Sequence, residues 1–210
     1  MNEFISIKDN VQTEIVEKKS KFIANLFYVE SVEEAENIIK ETRKKYYDAR
    51  HNCIAYRIVE KNKIKEKSSD DGEPSGTAGA PMLNILQKNN LANVLIIVTR
   101  YFGGILLGTG GLLRAYSDSL LYAIDNAKLL KMCLGDELQA IVEYSEFENF
   151  RYYCKNNEIS IVDCKYLENI VCTLNIETIK INKLLKDFET KKVNLKSLEK
   201  ISKKYINKSI

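Results

Sequence analysis

Three carboxylates stand close together in SSDDGEPSGTAGAP, a glycine- and proline-rich segment that spans residues 68–81. Asp70, Asp71 and Glu73 could hold a hard cation such as Mg²⁺, act as a general base, or pair with Arg100 or Arg114. Carboxylates at this spacing repel one another unless water or a cation screens them. The segment lacks the ligand spacing of an EF-hand loop. We favour solvation or arginine pairing, and predict no metal site and no cofactor.

A second group of candidate residues lies in RYFGGILLGTGGLLRAY, residues 100–116, directly after the apolar run NVLIIV. The candidate binding residues of this segment are Arg100, Tyr101, Gly103, Gly104, Gly110, Gly111 and Arg114. Glycines at a helix start leave backbone N–H groups accessible, so a small anion could bind at residues 108–112. Neither a Walker A loop nor the dinucleotide fingerprint fits, because leucines occupy the positions that these motifs require.

His51, in DARHNCIAYRI, is the one histidine of the chain and a further candidate. It could stack, form hydrogen bonds, act as a base or serve only the structure. Ser75 has no other histidine to activate it and no GxSxG context, which argues against a serine hydrolase. The five cysteines show no CxxC spacing, which is typical of reduced thiols in a cytoplasmic protein.

Alternation and helical periodicity predict the elements that must position these residues. We expect two strands that turn near Lys19–Ser20, a helix capped by Ser31, and a hairpin joined around Glu60–Lys61–Asn62. A short helix from Pro81 and a buried strand at NVLIIV follow. A loop over residues 99–111 should then lead into a long helix.

The pattern changes after Gly135, where strand and helix signals follow in the order βαββαβ. This order is the signature of a ferredoxin-like domain. We therefore predict an α+β protein with an N-terminal domain of residues 1–134 and a small ferredoxin-like domain of residues 135–210.

Composition and charge restrict the function less than the motifs do. The chain has 210 residues, of which 45% are hydrophobic and 29% charged, and its net charge is +3. No apolar run reaches the ~18 residues of a membrane span, and the N-terminus does not resemble a secretory signal, so we expect a cytoplasmic protein without membrane contact. Residues 191–210 hold seven lysines and one glutamate, which fits either attraction to phosphates or a solvated terminus.

Several segments together resemble the YigZ/IMPACT family over essentially the whole chain. They are KSKFIA, DARHNC, SDDGEPSGTAGAPM and NVLIIVTRYFGGILLGTGGLLRAY, in this order. The resemblance implies an N-terminal fold similar to the second domain of a small-subunit ribosomal protein and to domain IV of elongation factor G. It also implies a translation-linked role, because eukaryotic relatives regulate translation through a partner protein.

Two function classes follow. In the first, the protein binds RNA, the ribosome or a ribosome-associated protein through the 68–81 and 99–114 loops, since arginine and aromatic side chains suit RNA. In the second, it is an enzyme for a phosphorylated or anionic small molecule, with or without a divalent metal. We favour the first. Whether a reaction is catalysed and which oligomer forms do not follow from the sequence.

Overall fold

The computed structural model describes residues 3–60 and 63–208, and the chain divides into two compact units between Leu130 and Lys131. The first unit contains β1 (Glu3–Ile7), β2 (Val11–Glu17), β3 (Ser20–Tyr28), α1 (Val32–Lys45), β4 (His51–Glu60), β5 (Lys63–Ser69), α2 (Gly79–Lys88), β6 (Val94–Tyr101) and α3 (Gly108–Asp125). The second contains β7 (Leu129–Val142), α4 (Phe147–Asn156), β8 (Ser160–Tyr166), β9 (Ile170–Glu177), α5 (Ile181–Glu189) and β10 (Ser197–Asn207). Gly135, where we predicted the domain boundary, lies inside β7.

The first unit is built on an antiparallel sheet with the strand order β2-β3-β6-β4-β5. β6 occupies the centre and is buried from Val94 to Arg100, as the continuous apolar run predicted. One apolar cluster joins one face of the sheet to α2 and α3, and a second joins the opposite face to α1. The unit therefore has helices on both faces.

The start of α1 follows its sequence signal. The Ser31 hydroxyl accepts a hydrogen bond from the Glu34 N–H at 3.1 Å, which satisfies an N–H group that the helix cannot. The Glu34 carboxylate accepts from the N–H of Glu30 rather than from that of Ser31, so the reciprocal bond of the capping box is displaced by one residue.

One expectation for the first unit differs from the structure, one strand was not expected, and one prediction lies outside the described residues. β6 continues through Tyr101 and α3 begins at Gly108, so the loop between them is residues 102–107 rather than 99–111. Glycine is a poor helix former, but the first turn needs few intrahelical bonds and tolerates it. β1 was not predicted. The junction of the β4–β5 hairpin falls on residues 61 and 62, outside the described residues.

The second unit has the predicted βαββαβ order, with antiparallel strand pairs in the order β10-β7-β9-β8. An apolar cluster joins this sheet to residues of α4 and α5. The prediction of an α+β fold with a ferredoxin-like second domain is confirmed.

Most lysines near the C-terminus contact carboxylates of the second unit. The pairs are Lys192 with Asp187, Lys196 with Glu143, Lys200 with Asp136, Lys204 with Glu137, and Lys208 with Glu177. Their charges are thus largely compensated locally, which weakens the phosphate-attraction interpretation of this segment. In residues 3–60 and 63–208, no helix combines the length and the apolar character that a membrane crossing requires.

Candidate functional site

The Asp70 carboxylate organises the glycine-rich loop that precedes α2. It accepts hydrogen bonds from the backbone N–H groups of Gly76, Ala78 and Gly79 at 2.8, 2.9 and 2.8 Å. Two of these groups lie at the start of α2, where N–H groups otherwise lack partners. Burial opposes ionisation of Asp70, but the three bonds outweigh it and lower its pKa. Asp70 is therefore a loop-folding carboxylate.

Asp71 connects the same loop to α1 and β4. Its carboxylate accepts from Arg43 Nη2 and from the Asn52 N–H, each at 2.7 Å. Asp71 itself adopts a positive φ of 47°, a conformation that aspartate tolerates better than most residues. The carboxylates of Asp70 and Asp71 therefore have separate partners.

Glu73 joins the two glycine-rich segments. Its Oε1 atom accepts from Arg100 Nη1 at 2.7 Å and from the Tyr116 hydroxyl at 2.9 Å, and its side chain is only 3% exposed. The Arg100 guanidinium also lies 5.5 and 5.6 Å from the ring centres of Phe22 and Phe102, a cation–π geometry. Arg100 thus lies inside the unit as the partner of Glu73.

The three carboxylates have separate protein partners. Glu73 pairs with Arg100, one of the two arginines that we expected, whereas Asp71 pairs with Arg43, which we did not expect. The part of the chain that the structure describes holds no arrangement of three or more His, Cys, Asp or Glu suited to a metal ion.

His51 lies against this loop at the start of β4. Its Nδ1 is 2.9 Å from the carbonyl oxygen of Asp71, and its Nε2 is 4.0 Å from Glu73 Oε1. Because a carbonyl only accepts, Nδ1 carries the proton in this contact, and Nε2 of the neutral ring is left as an acceptor. The imidazole is 21% exposed.

Burial is the main influence on the pKa of two side chains near the loop, Cys53 and Tyr116. Burial raises the pKa of the Cys53 thiol to about 12, and its Sγ donates to the Asp70 carbonyl at 2.9 Å. Burial, followed by the neighbouring Cys53 and Glu73, raises the pKa of Tyr116. Both groups therefore stay protonated at neutral pH and act as hydrogen-bond donors.

Tyr101 does not join the Arg100 cluster. Successive side chains of a strand point to opposite faces, and the Tyr101 hydroxyl donates to Asp48 Oδ1 at 2.7 Å. This hydrogen bond raises the pKa of Tyr101 to about 12. Arg100 and Tyr101, two candidate residues that are adjacent in sequence, therefore have different hydrogen-bond partners.

Residues 102–107 pack closely on the turn between β2 and β3. A Cβ atom added to Gly103 would lie 2.0 Å from the backbone of Lys19, so only glycine permits this approach. Gly104 has a positive φ of 85°, and both Lys18 and Lys19 in the turn also have positive φ. The loop and the turn therefore hold each other in place.

An exposed surface surrounds this contact, and we call it the loop face. It consists of Lys18, Lys19, Phe102, Leu106, Gly110 and Arg114. Lys18, Arg114 and Gly111 line a cavity of about 160 Å³, and the acidic residues Glu17 and Asp118 also line it. Phe102 is 48% and Leu106 is 82% exposed. Within residues 3–60 and 63–208, no carboxylate forms an ion pair with any of its three cations.

Sequence reasoning did not single out Lys18, Lys19, Phe102 or Tyr116. For Tyr116, the apolar stripe of α3 indicated only a core residue. Arg100 was identified, but not its burial, although Val94, Ile96 and Val98 on the same face of β6 all belong to the apolar cluster under α2 and α3. That alternation is the signal that could have placed Arg100 inside.

Comparisons with known proteins cover most of the chain. Residues 18–124 match the family model described as the Impact N-terminal domain. The IMPACT family member YvyE of Bacillus subtilis is 36% identical over 170 residues, which cover 81% of this chain and 78% of that protein. The IMPACT family member YigZ of Escherichia coli is 31% identical over 186 residues, covering 87% and 91%. A crystal structure of a hypothetical protein has a TM-score of 0.63 at 28% identity and covers 96% of this chain and 98% of its own.

Proposed function

Since the chain belongs to the IMPACT family, we propose that it is a cytoplasmic, translation-linked protein that contacts RNA or the ribosome through the loop face. The resemblance supports the link to translation, because eukaryotic relatives regulate that process.

The convergence of three cations, none of which forms an ion pair within residues 3–60 and 63–208, near the exposed start of α3 carries the proposal. Lys18 and Lys19 come from the β2–β3 turn and Arg114 from the second turn of α3, so charges from two distant segments of the sequence share one surface. Exposed N–H groups in the first turn of α3 add positive potential. Phosphate groups are the ligands that such a surface attracts.

Phe102 adds a second property that RNA requires. A half-exposed aromatic ring beside cations can stack on an unpaired base, which is the usual mode of single-strand recognition. The buried cluster below supports this ring, because the Arg100 guanidinium lies 5.6 Å from its centre. In this proposal Arg100 positions the loop face and does not contact RNA itself.

A ribosome-associated protein is the alternative partner, and Leu106 is the residue that would indicate it. Its side chain is 82% exposed at the tip of the loop, and an exposed apolar side chain suits a protein contact better than a phosphate. The two partners differ in how binding depends on salt, because only phosphate contacts release counterions.

A salt titration of binding tests the proposal. The full chain is titrated against a single-stranded RNA oligonucleotide and against purified ribosomes from low to moderate salt. The variant Lys18→Gln/Arg114→Gln should reduce the slope of log K against log salt by about 1.4 on the single-stranded RNA, about 0.7 for each lost phosphate contact. The control variant Lys40→Gln/Lys65→Gln removes two exposed charges from the same unit away from the loop face, and should keep the slope.

Equal slopes for the wild-type protein and the Lys18→Gln/Arg114→Gln variant would refute the loop face as the phosphate contact. Ribosome binding that is insensitive to salt but lost in Leu106→Ser would replace RNA with a protein partner.

A further inference from the structure

A groove of about 520 Å³ lies on the α1 side of the first unit's sheet, between α1 and the β2–β3 hairpin. The buried side chains of α1 form an apolar cluster with residues of β4 and β6, among them Ile54 and Ile97. The helix therefore leaves the hairpin side of this face open. The volume is in the range of pockets that bind small molecules.

Asn25 of β3 lines this groove and is the unusual residue in it. Asn25 is only 6% exposed. Its side-chain Nδ2 atom is buried and has no hydrogen-bond partner in the described part of the chain. Buried amide groups are nearly always hydrogen-bonded, and an unmade bond destabilises the fold. Rotation about χ2 exchanges the amide oxygen and nitrogen, so Asn25 can present either atom to a ligand.

Three further carboxamides line the groove with Asn25, and one of them, Asn10, already accepts a hydrogen bond from the Tyr28 N–H. Gln12 is the direct partner of Asn25 in the β2–β3 register, so both side chains extend from the same face of the hairpin. Asn37 lines the opposite wall from α1. The groove therefore offers paired donors and acceptors on one side and a further amide on the other.

The rest of the lining favours a flat, uncharged ligand. Phe27 and Tyr46 contribute aromatic surface, on which planar rings stack. Glu41 and Lys45 lie at the rim with opposite charges, and Glu41 is already paired with Lys44 at 2.7 Å. The groove thus has no excess charge to attract an anion.

We propose that this groove binds the base of a purine nucleoside. Asparagine and glutamine carboxamides match the adjacent donor and acceptor of adenine, and the aromatic walls can hold its faces. The same chemistry occurs in a free nucleoside and in an unpaired adenine of RNA. The groove lies at the opposite end of the β2–β3 hairpin from the loop face, about 20 Å along the strands, so it does not depend on phosphate binding there.

The test uses adenosine, which carries no phosphate, and a single-stranded oligoadenylate. Amide chemical shifts of the full ¹⁵N-labelled chain are followed by NMR during each titration. We expect saturable shifts confined to the neighbourhood of Asn25, Gln12 and Asn37. A similar affinity for both probes indicates a free nucleoside as the ligand, and a higher affinity for the oligoadenylate that depends on Asn25 indicates RNA.

The variant Asn25→Leu separates binding from structure. It replaces the unpartnered amide by an apolar group of similar size, so it should keep or raise stability while weakening adenosine binding about tenfold or more. Asn84→Leu, an exposed asparagine of α2 outside the groove, is the matched control and should bind as the wild type does. Absence of shifts with adenosine at millimolar concentration, or unchanged binding by Asn25→Leu, would overturn the proposal.

Discussion

The Arg100 guanidinium and the Glu73 carboxylate meet at 2.7 Å, with side chains only 7% and 3% exposed. They come from the two glycine-rich segments, and Tyr116 donates to the same Glu73 oxygen. This ion pair, together with the Tyr116 hydrogen bond, joins the loop before α2 to the end of β6 and to α3.

Removing the carboxylate of this pair should strongly destabilise the first unit. Glu73→Ala leaves the Arg100 charge buried without compensation and the Tyr116 hydroxyl without an acceptor. Loss of one partner of a buried pair costs about 3–5 kcal/mol, which chemical denaturation will show as a lower free energy of unfolding. Glu36→Ala is the control, since its pair with Lys67 is partly exposed and should cost less than about 1 kcal/mol. Similar losses in both variants would contradict the buried-pair account.

The stabilising effect of Asp70 should depend on pH. Its pKa is lower in the folded chain than the value of about 3.9 for an unfolded aspartate, because three backbone N–H groups hold the ionised form despite its burial. The contribution is therefore complete above pH ~4 and is lost as the pH falls through the lower, folded value. We expect Asp70→Asn to unfold more easily than the wild type at neutral pH, and the difference to narrow below pH 4. Chemical denaturation at several pH values measures the difference in the free energy of unfolding between the two proteins. A difference that does not change with pH would contradict the prediction.

Two glycines of the same region should respond oppositely to alanine. A Cβ atom at Gly103 would overlap the Lys19 backbone, whereas one at Gly110 would have nothing within 4 Å. Gly103→Ala should therefore displace the loop face, lower the melting temperature and weaken RNA binding. Gly110→Ala should be neutral or stabilise α3 by about 0.5–1 kcal/mol. Thermal melts of the two variants measure this difference. An unchanged melting temperature for Gly103→Ala would mean that residues 102–107 do not pack on the β2–β3 turn as closely as described.

The cysteines should differ in their reactivity. Burial raises the pKa of Cys53 and Cys154 to about 12 and also raises that of Cys172, while Cys164 is partly exposed. Because the thiolate is the reactive form, iodoacetamide at neutral pH should modify Cys164 first. Peptide mass spectrometry over time measures the order. The unfolded chain should lose this order, and equal rates in the folded chain would contradict the prediction.

Local patterns predicted the elements well and the site only in part. The apolar run of β6, the capping serine of α1 and the βαββαβ order of the second unit are local signals, and each led to the correct element. Burial of Glu73 depends instead on contacts with Arg100 and Tyr116, which lie 27 and 43 residues away in sequence. The close approach of Gly103 to Lys19 is equally non-local. Charge and glycine content therefore located the region but did not separate its buried residues from its exposed ones.

The central position of β6 has a consequence for how the first unit folds. Both neighbours of β6 precede it in the chain, and each belongs to a hairpin, β2–β3 or β4–β5, whose pairing is local. Hairpins form quickly, whereas pairing between distant segments is slow. We expect β6 to join last, inserting between two preformed hairpins and bringing Arg100 to Glu73 at that moment. Assembly of the loop face would then coincide with completion of the sheet, so a chain that has not finished folding should be unable to bind its partner.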